Sequence, residues 1–97
     1  MPNNQKYVVV RCDRAGVFAG LLESRNGQEV TLRHARKLWY WSGASETLQI
    51  AAEGVKHPAS CKFTMEVDSI ILTDATEIIP TTPEAEANIK AVPVWKM

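Results

Sequence analysis

Apolar and polar positions along this chain predict several short strands and two helices. Tyr7-Val8-Val9-Val10 is β-branched and bounded by polar residues, the pattern of a strand. Asp13-Arg14-Ala15-Gly16 reads as a turn, with Gly16 free to take positive φ. A second strand is expected from Val17 to Glu23. Asn26-Gly27, after Arg25, predicts a two-residue type I′ hairpin turn, because both residues tolerate positive φ. From Gln28 to Arg33, Val30 and Leu32 point one way while Glu29, Thr31 and Arg33 point the other. A further strand is expected from Lys37 to Trp41.

Ser45 is the expected cap of a helix from Glu46 to Glu53, with Glu46 suited to the helix dipole. Leu48, Ile50, Ala51 and Ala52 would form its apolar side, and Gly54 would end it. His57-Pro58-Ala59-Ser60 reads as a loop. Lys62 to Val67 alternates, with Phe63, Met65 and Val67 on one face, which predicts a half-buried strand. Ile70-Ile71-Leu72 and Thr76-Glu77-Ile78-Ile79 are short strand-like runs. Thr82 predicts a second cap, with Pro83 at the first helical position and an end near Ala91, before Pro93. Val94 and Trp95 form an apolar tail expected to dock. No internal repeat or low-complexity stretch interrupts this order. It predicts the α+β class: a small, strongly bent antiparallel sheet or a partly open, SH3-like barrel, with one central and one C-terminal helix.

Ninety-seven residues, 45% of them apolar, predict a single domain over residues 1–97 with a modest core. Eleven Lys plus Arg balance eleven Asp plus Glu. A chain without surplus cations is poorly suited to non-specific nucleic-acid binding, which works by releasing phosphate counterions. Cys12 and Cys61 are too few for a disulfide scaffold. The polar residues Pro2 to Lys6 do not form a signal-peptide pattern, and no apolar run is long enough to span a bilayer. A cytoplasmic protein with no membrane partner is the expectation. The zero total conceals an asymmetry: residues 1–62 hold nine cations against five acids, and residues 63–97 hold two against six. Either the halves neutralise each other within one fold, or they meet between copies. With the apolar tail, the asymmetry predicts a homo-oligomer.

The most unusual segment is Arg33-His34-Ala35-Arg36-Lys37-Leu38-Trp39-Tyr40-Trp41-Ser42-Gly43. On a regular strand, Trp39 and Trp41 share one face, and Leu38 and Tyr40 the other. One reading buries both faces. The other makes Arg33, Arg36, Lys37, Trp39, Tyr40 and Trp41 a binding site. Aromatic rings beside cations suit a stacked base with its phosphate, and Trp, Tyr and Arg are also the side chains that anchor protein interfaces. Ser42-Gly43-Ala44-Ser45 matches neither a phosphate loop nor a nucleophile elbow. Cys12, His34, His57 and Cys61 are zinc-ligand types, yet only His57 and Cys61 are close in sequence, so no metal is expected. No carboxylate or histidine has a catalytic spacing. The residues therefore predict no enzyme and no cofactor.

Four segments together carry a resemblance: Tyr7-Val8-Val9-Val10-Arg11-Cys12, Ala15-Gly16-Val17-Phe18-Ala19-Gly20, Arg36-Lys37-Leu38-Trp39-Tyr40-Trp41-Ser42-Gly43-Ala44 and Ala91-Val92-Pro93-Val94-Trp95-Lys96. The chain resembles a family of small phage and prophage proteins of unknown function, most specifically in its Leu-Trp-Tyr-Trp-Ser-Gly run. The resemblance implies expression in the cytoplasm of a bacterial host cell and brings no catalytic residues. The resulting expectation is a non-enzymatic phage or prophage accessory protein that binds a host protein or a nucleotide-like ligand, for host takeover or counter-defence. The alternative is a phage structural or assembly protein with the aromatic segment as core.

Overall fold

The computed structural model describes residues 6–95. Six strands form one antiparallel, unclosed sheet: β1 (Tyr7–Cys12), β2 (Val17–Asn26), β3 (Glu29–Tyr40), β4 (Lys62–Phe63), β5 (Val67–Leu72) and β6 (Ala75–Pro80). Two helices complete the α+β fold, α1 (Thr47–Glu53) and α2 (Pro83–Ala91). The strand order is β4-β3-β2-β1-β6, with β5 also paired to β3. Among the described residues no helix is long and apolar enough to cross a membrane.

Strand β1 is covered on both sides, which explains its run of β-branched residues. Tyr7 and Val9 join the core beneath the helices, with Ile50, Ala51, Phe63 and Ile89. Val8, Val10 and Cys12 join a second core, with Phe18, Val30, Leu32 and Leu72. The sheet reaches both cores because β2 and β3 are long and bend back over β1.

That bend has a local cause. Where the register passes from Ala19↔Arg36 to Leu21↔Arg33, His34 and Ala35 together oppose Gly20. The extra residue is a β-bulge, and His34 takes φ 52° there. Strand and bulge pack so closely that a Cβ on Gly20 would lie 3.0 Å from Arg33 O. Side chains alternate with period two, so one inserted residue reverses the facing of everything after it. Val30, Leu32 and then Ala35 face the second core, while Leu38 faces the helix-side core. The two strands expected over 28–33 and 37–41 are thus one strand with a bulge between them.

Other expectations shift. The hairpin turn is Gly27-Gln28, one residue later than Asn26-Gly27, since Asn26 pairs with Glu29. Positive φ falls only on Gly27, at 63°, the type II′ pattern rather than type I′. Helix α1 starts after Glu46. Ser45 does not cap it; instead the Gln49 side chain accepts from the Ser45 amide at 2.7 Å and its hydroxyl at 2.8 Å. Thr47, Ile50 and Ala51 form the buried face of this short helix, which leaves Leu48 exposed. The strand expected over 62–67 stops at Phe63. Thr64 Oγ1 accepts from the Lys37 amide, its carbonyl accepts from Arg36, and the chain then turns away with Met65 and Val67 exposed.

Helix α2 follows its predicted signals. Thr82 Oγ1 accepts from the Ala85 amide at 3.0 Å, Pro83 occupies the first turn, and Ala85 and Ile89 are buried. Asn88 exchanges two bonds with the Val55 backbone, tying α2 to the loop after α1. Beyond α2 the expected docking occurs: Val94 bridges Phe63 in parallel, and the Trp95 amide donates to Phe63 O at 2.9 Å.

Candidate functional site

The six residues expected to act together are dispersed by the two irregularities of β3. Arg33, roughly 20 Å along the strand from Trp39, belongs to a surface ion-pair group. Its Nη1 lies 3.1 Å from Glu23 Oε1, and Nη2 lies 3.6 Å from Asp68 Oδ1. The hydrogen bond to Glu23 and the two acids hold its pKa above the ordinary arginine value.

Arg36 is buried, with 6% of its surface exposed. Its Nε donates to Thr64 O at 2.9 Å, and Nη1 donates to Ile89 O at 3.0 Å and Val92 O at 2.9 Å. Nη2 reaches Phe63 O at 3.4 Å, and the guanidinium lies 5.4 Å from the Phe63 ring centroid. Two of these carbonyls lie at the end of α2, where Ile89 O also accepts from the Val92 amide at 3.3 Å and the helix dipole favours a cation. Burial lowers the Arg36 pKa. With its donors engaged by carbonyls inside the fold, Arg36 fastens α2 to β3 and β4. Its place there follows from the His34 bulge.

Lys37 faces the opposite way, with Nζ 5.8 Å from the Phe18 ring centroid. Trp41 is half-buried against the helix-side core. Trp39 and Tyr40 remain at the surface, 54% and 50% exposed. Between Leu38↔Phe63 and Tyr40↔Lys62 the register shifts again, leaving Trp39 as the extra residue. Tyr40 is therefore turned out of the core that Leu38 occupies. A segment buried on both faces is thus corrected at Trp39 and Tyr40.

Two residues outside the expected set complete the surface. The Trp95 ring stacks on Trp39 with centroids 4.9 Å apart and planes 8° from parallel. Lys62 Nζ lies 5.2 Å from the Trp39 centroid, 5.6 Å from Trp95 and 5.9 Å from Tyr40. Three ring faces thus surround one ammonium, the arrangement of a cation–π contact. The tail's apolar character hinted at Trp95. Nothing local marked Lys62, whose position depends on its pairing opposite Tyr40.

The patch lies outside two concavities of the surface. The larger, of about 540 Å³, is lined by Arg25, Gly27, Gln28, Ala75, Thr76 and Ile78. The smaller, of about 260 Å³, lies beside Arg11, Val17, Trp41 and the residues leading into α1. Ser42 Oγ and His57 Nδ1 are 3.3 Å apart, and Cys61 Sγ accepts from the Ser42 amide; these contacts join the loop after β3 to the loop before β4. Cys12 is a buried thiol pushed up to about 11 by burial and by Asp74. Among the described residues no three His, Cys, Asp or Glu side chains converge as a metal site would require.

The fold and surface define a small α+β domain with a solvent-facing aromatic cluster. The chain belongs to the family described as a domain of unknown function, DUF6948, whose family model matches residues 5–89. That span includes Arg36, Trp39, Tyr40 and Lys62, and Trp95 lies beyond it. No curated protein and no solved structure matched the chain.

Proposed function

We propose that this protein is a non-enzymatic binding module whose working surface is Trp39, Tyr40, Lys62 and Trp95, and that its ligand is another protein. The observation that carries the reading is the uneven treatment of the aromatic side chains. Tyr7, Phe18 and Phe63 are buried, while Trp39 and Tyr40 keep half of their surface in water. Large rings left exposed side by side resemble the anchors of protein interfaces. Small molecules favour concave sites, and none of these four residues lines either of the two concavities described above. The resemblance of the Leu38 to Gly43 run to small phage and prophage proteins supports an accessory role in the bacterial cytoplasm, with a host protein as partner. Self-association through the apolar surface is part of the same reading.

Parallel indoles beside Lys62 also suit a planar anion, so a nucleotide is the second reading. Co-purification from bacterial cells, run beside titrations with ATP and a short oligonucleotide, separates the two. The expected result is a stoichiometric protein partner, lost in a Trp39→Ala/Tyr40→Ala chain that still melts cooperatively. Equal recovery by both chains, or tight nucleotide binding without a protein partner, refutes the proposal.

A further inference from the structure

We infer that the outer edge of β4, with the face of Trp39 beside it, is a docking site for an extended partner segment carrying an aliphatic residue followed by an aromatic one, and that the chain's own Val94-Trp95 occupies it here. This rests on the binding surface proposed above and specifies the kind of partner it takes.

The resident segment displays the mode of recognition. Val94 bridges Phe63 in parallel, and the Trp95 amide donates to Phe63 O at 2.9 Å. Trp95 then lies flat on Trp39, with Lys62 over both rings. Strand addition of this kind combines main-chain bonds with side-chain specificity. Strand β4 is two residues long and pairs with β3 on its other side, so residues 94–95 cover an otherwise free edge.

The segment can leave without disturbing the fold beneath it. The Arg36 clasp ends at Val92, which is 3% exposed. Pro93 follows, exposed and without an amide hydrogen to anchor it. Val94 is 46% exposed. Displacing residues 94 and 95 therefore breaks a bridge and a stack while Arg36, α2 and Phe63 stay in place. The aliphatic position is permissive because it is half in water. The aromatic position is selective, because it must fill the space over Trp39. Lys62 favours an electron-rich ring there. As a tethered competitor, the resident segment has a high effective concentration, so it weakens any incoming one.

Fluorescence anisotropy with a labelled peptide of the sequence Val92 to Met97 tests this against the 97-residue chain, a chain ending at Val92, and that shorter chain with Trp39→Ala. The shortened chain should bind the peptide saturably, with affinity about tenfold or more above that of the other two. Equal affinity for all three, or no binding to a shortened chain that retains the parent's circular dichroism, overturns the inference. If the shortened chain does not fold, full-length Trp95→Ala replaces it and should bind the peptide more tightly than the parent; no difference overturns the inference. Concentration-dependent dimers that disappear on truncation also overturn it, in favour of exchange between copies. Failure of the peptide alone, with a partner still lost in Trp39→Ala/Tyr40→Ala, leaves the proposed surface standing.

Discussion

Replacing Arg36 tests how this fold holds its second helix. In Arg36→Ala, the carbonyls of Thr64, Ile89 and Val92 lose donors at 2.9–3.0 Å, and Phe63 O loses one at 3.4 Å. Hydrogen bonds to a charged group contribute about 1.5–3 kcal/mol each, and a cation at a helix C-terminus adds a fraction of that. The desolvation that lowers the Arg36 pKa offsets part of the sum. Water entering the vacated space would satisfy some of the carbonyls again. The net expectation is a loss of about 3–5 kcal/mol, a large share of a small domain's roughly 5–15 kcal/mol. Arg36→Lys should fall between Ala and the parent, because one ammonium cannot reach carbonyls spread along a planar fork. Urea denaturation followed by circular dichroism measures both variants, and equal slopes keep the free energies comparable. An unfolding free energy for Arg36→Ala within about 1 kcal/mol of the parent's would refute the clasp.

The exposed and buried aromatics should separate in the same assay. Trp39→Ala should cost about 0.5–1.5 kcal/mol, mainly the lost stack on Trp95, whereas Phe63→Ala at a fully buried site should cost about 3–5 kcal/mol; a larger loss for Trp39 would mean that this ring is core. The thiol of Cys12 is held up at about 11 in the fold against an ordinary 9.0. Its stabilising contribution is complete below about pH 9 and vanishes as pH rises through about 11. The alkaline loss it causes is at most about 3 kcal/mol, and Tyr7, pushed up to about 12 mainly by burial, continues it at higher pH. Unfolding free energies measured from pH 8 to 11 should fall less steeply for Cys12→Ala, and identical slopes would contradict the assignment.

Local signals in the sequence determined much of the chain. The β-branched run of β1, the turn at Gly27 and the Thr82-Pro83 start of α2 depend on residues a few positions apart, and each lies within one residue of its expected place. The docked tail was legible too, because Val94 and Trp95 are two adjacent large apolar side chains that gain by leaving water. The grouping of the aromatic segment was not legible. An alternating pattern assigns faces only while the strand stays regular, and β3 is interrupted at His34 and again at Trp39. The first interruption turns Arg36 inward, to carbonyls of α2 and β4. The second turns Tyr40 outward, beside Trp39 and opposite Lys62. The first arises in the pairing with the neighbouring β2 and the second in the pairing with the distant β4, so the register, which no single stretch of sequence encodes, decided which side chains meet water and which meet each other.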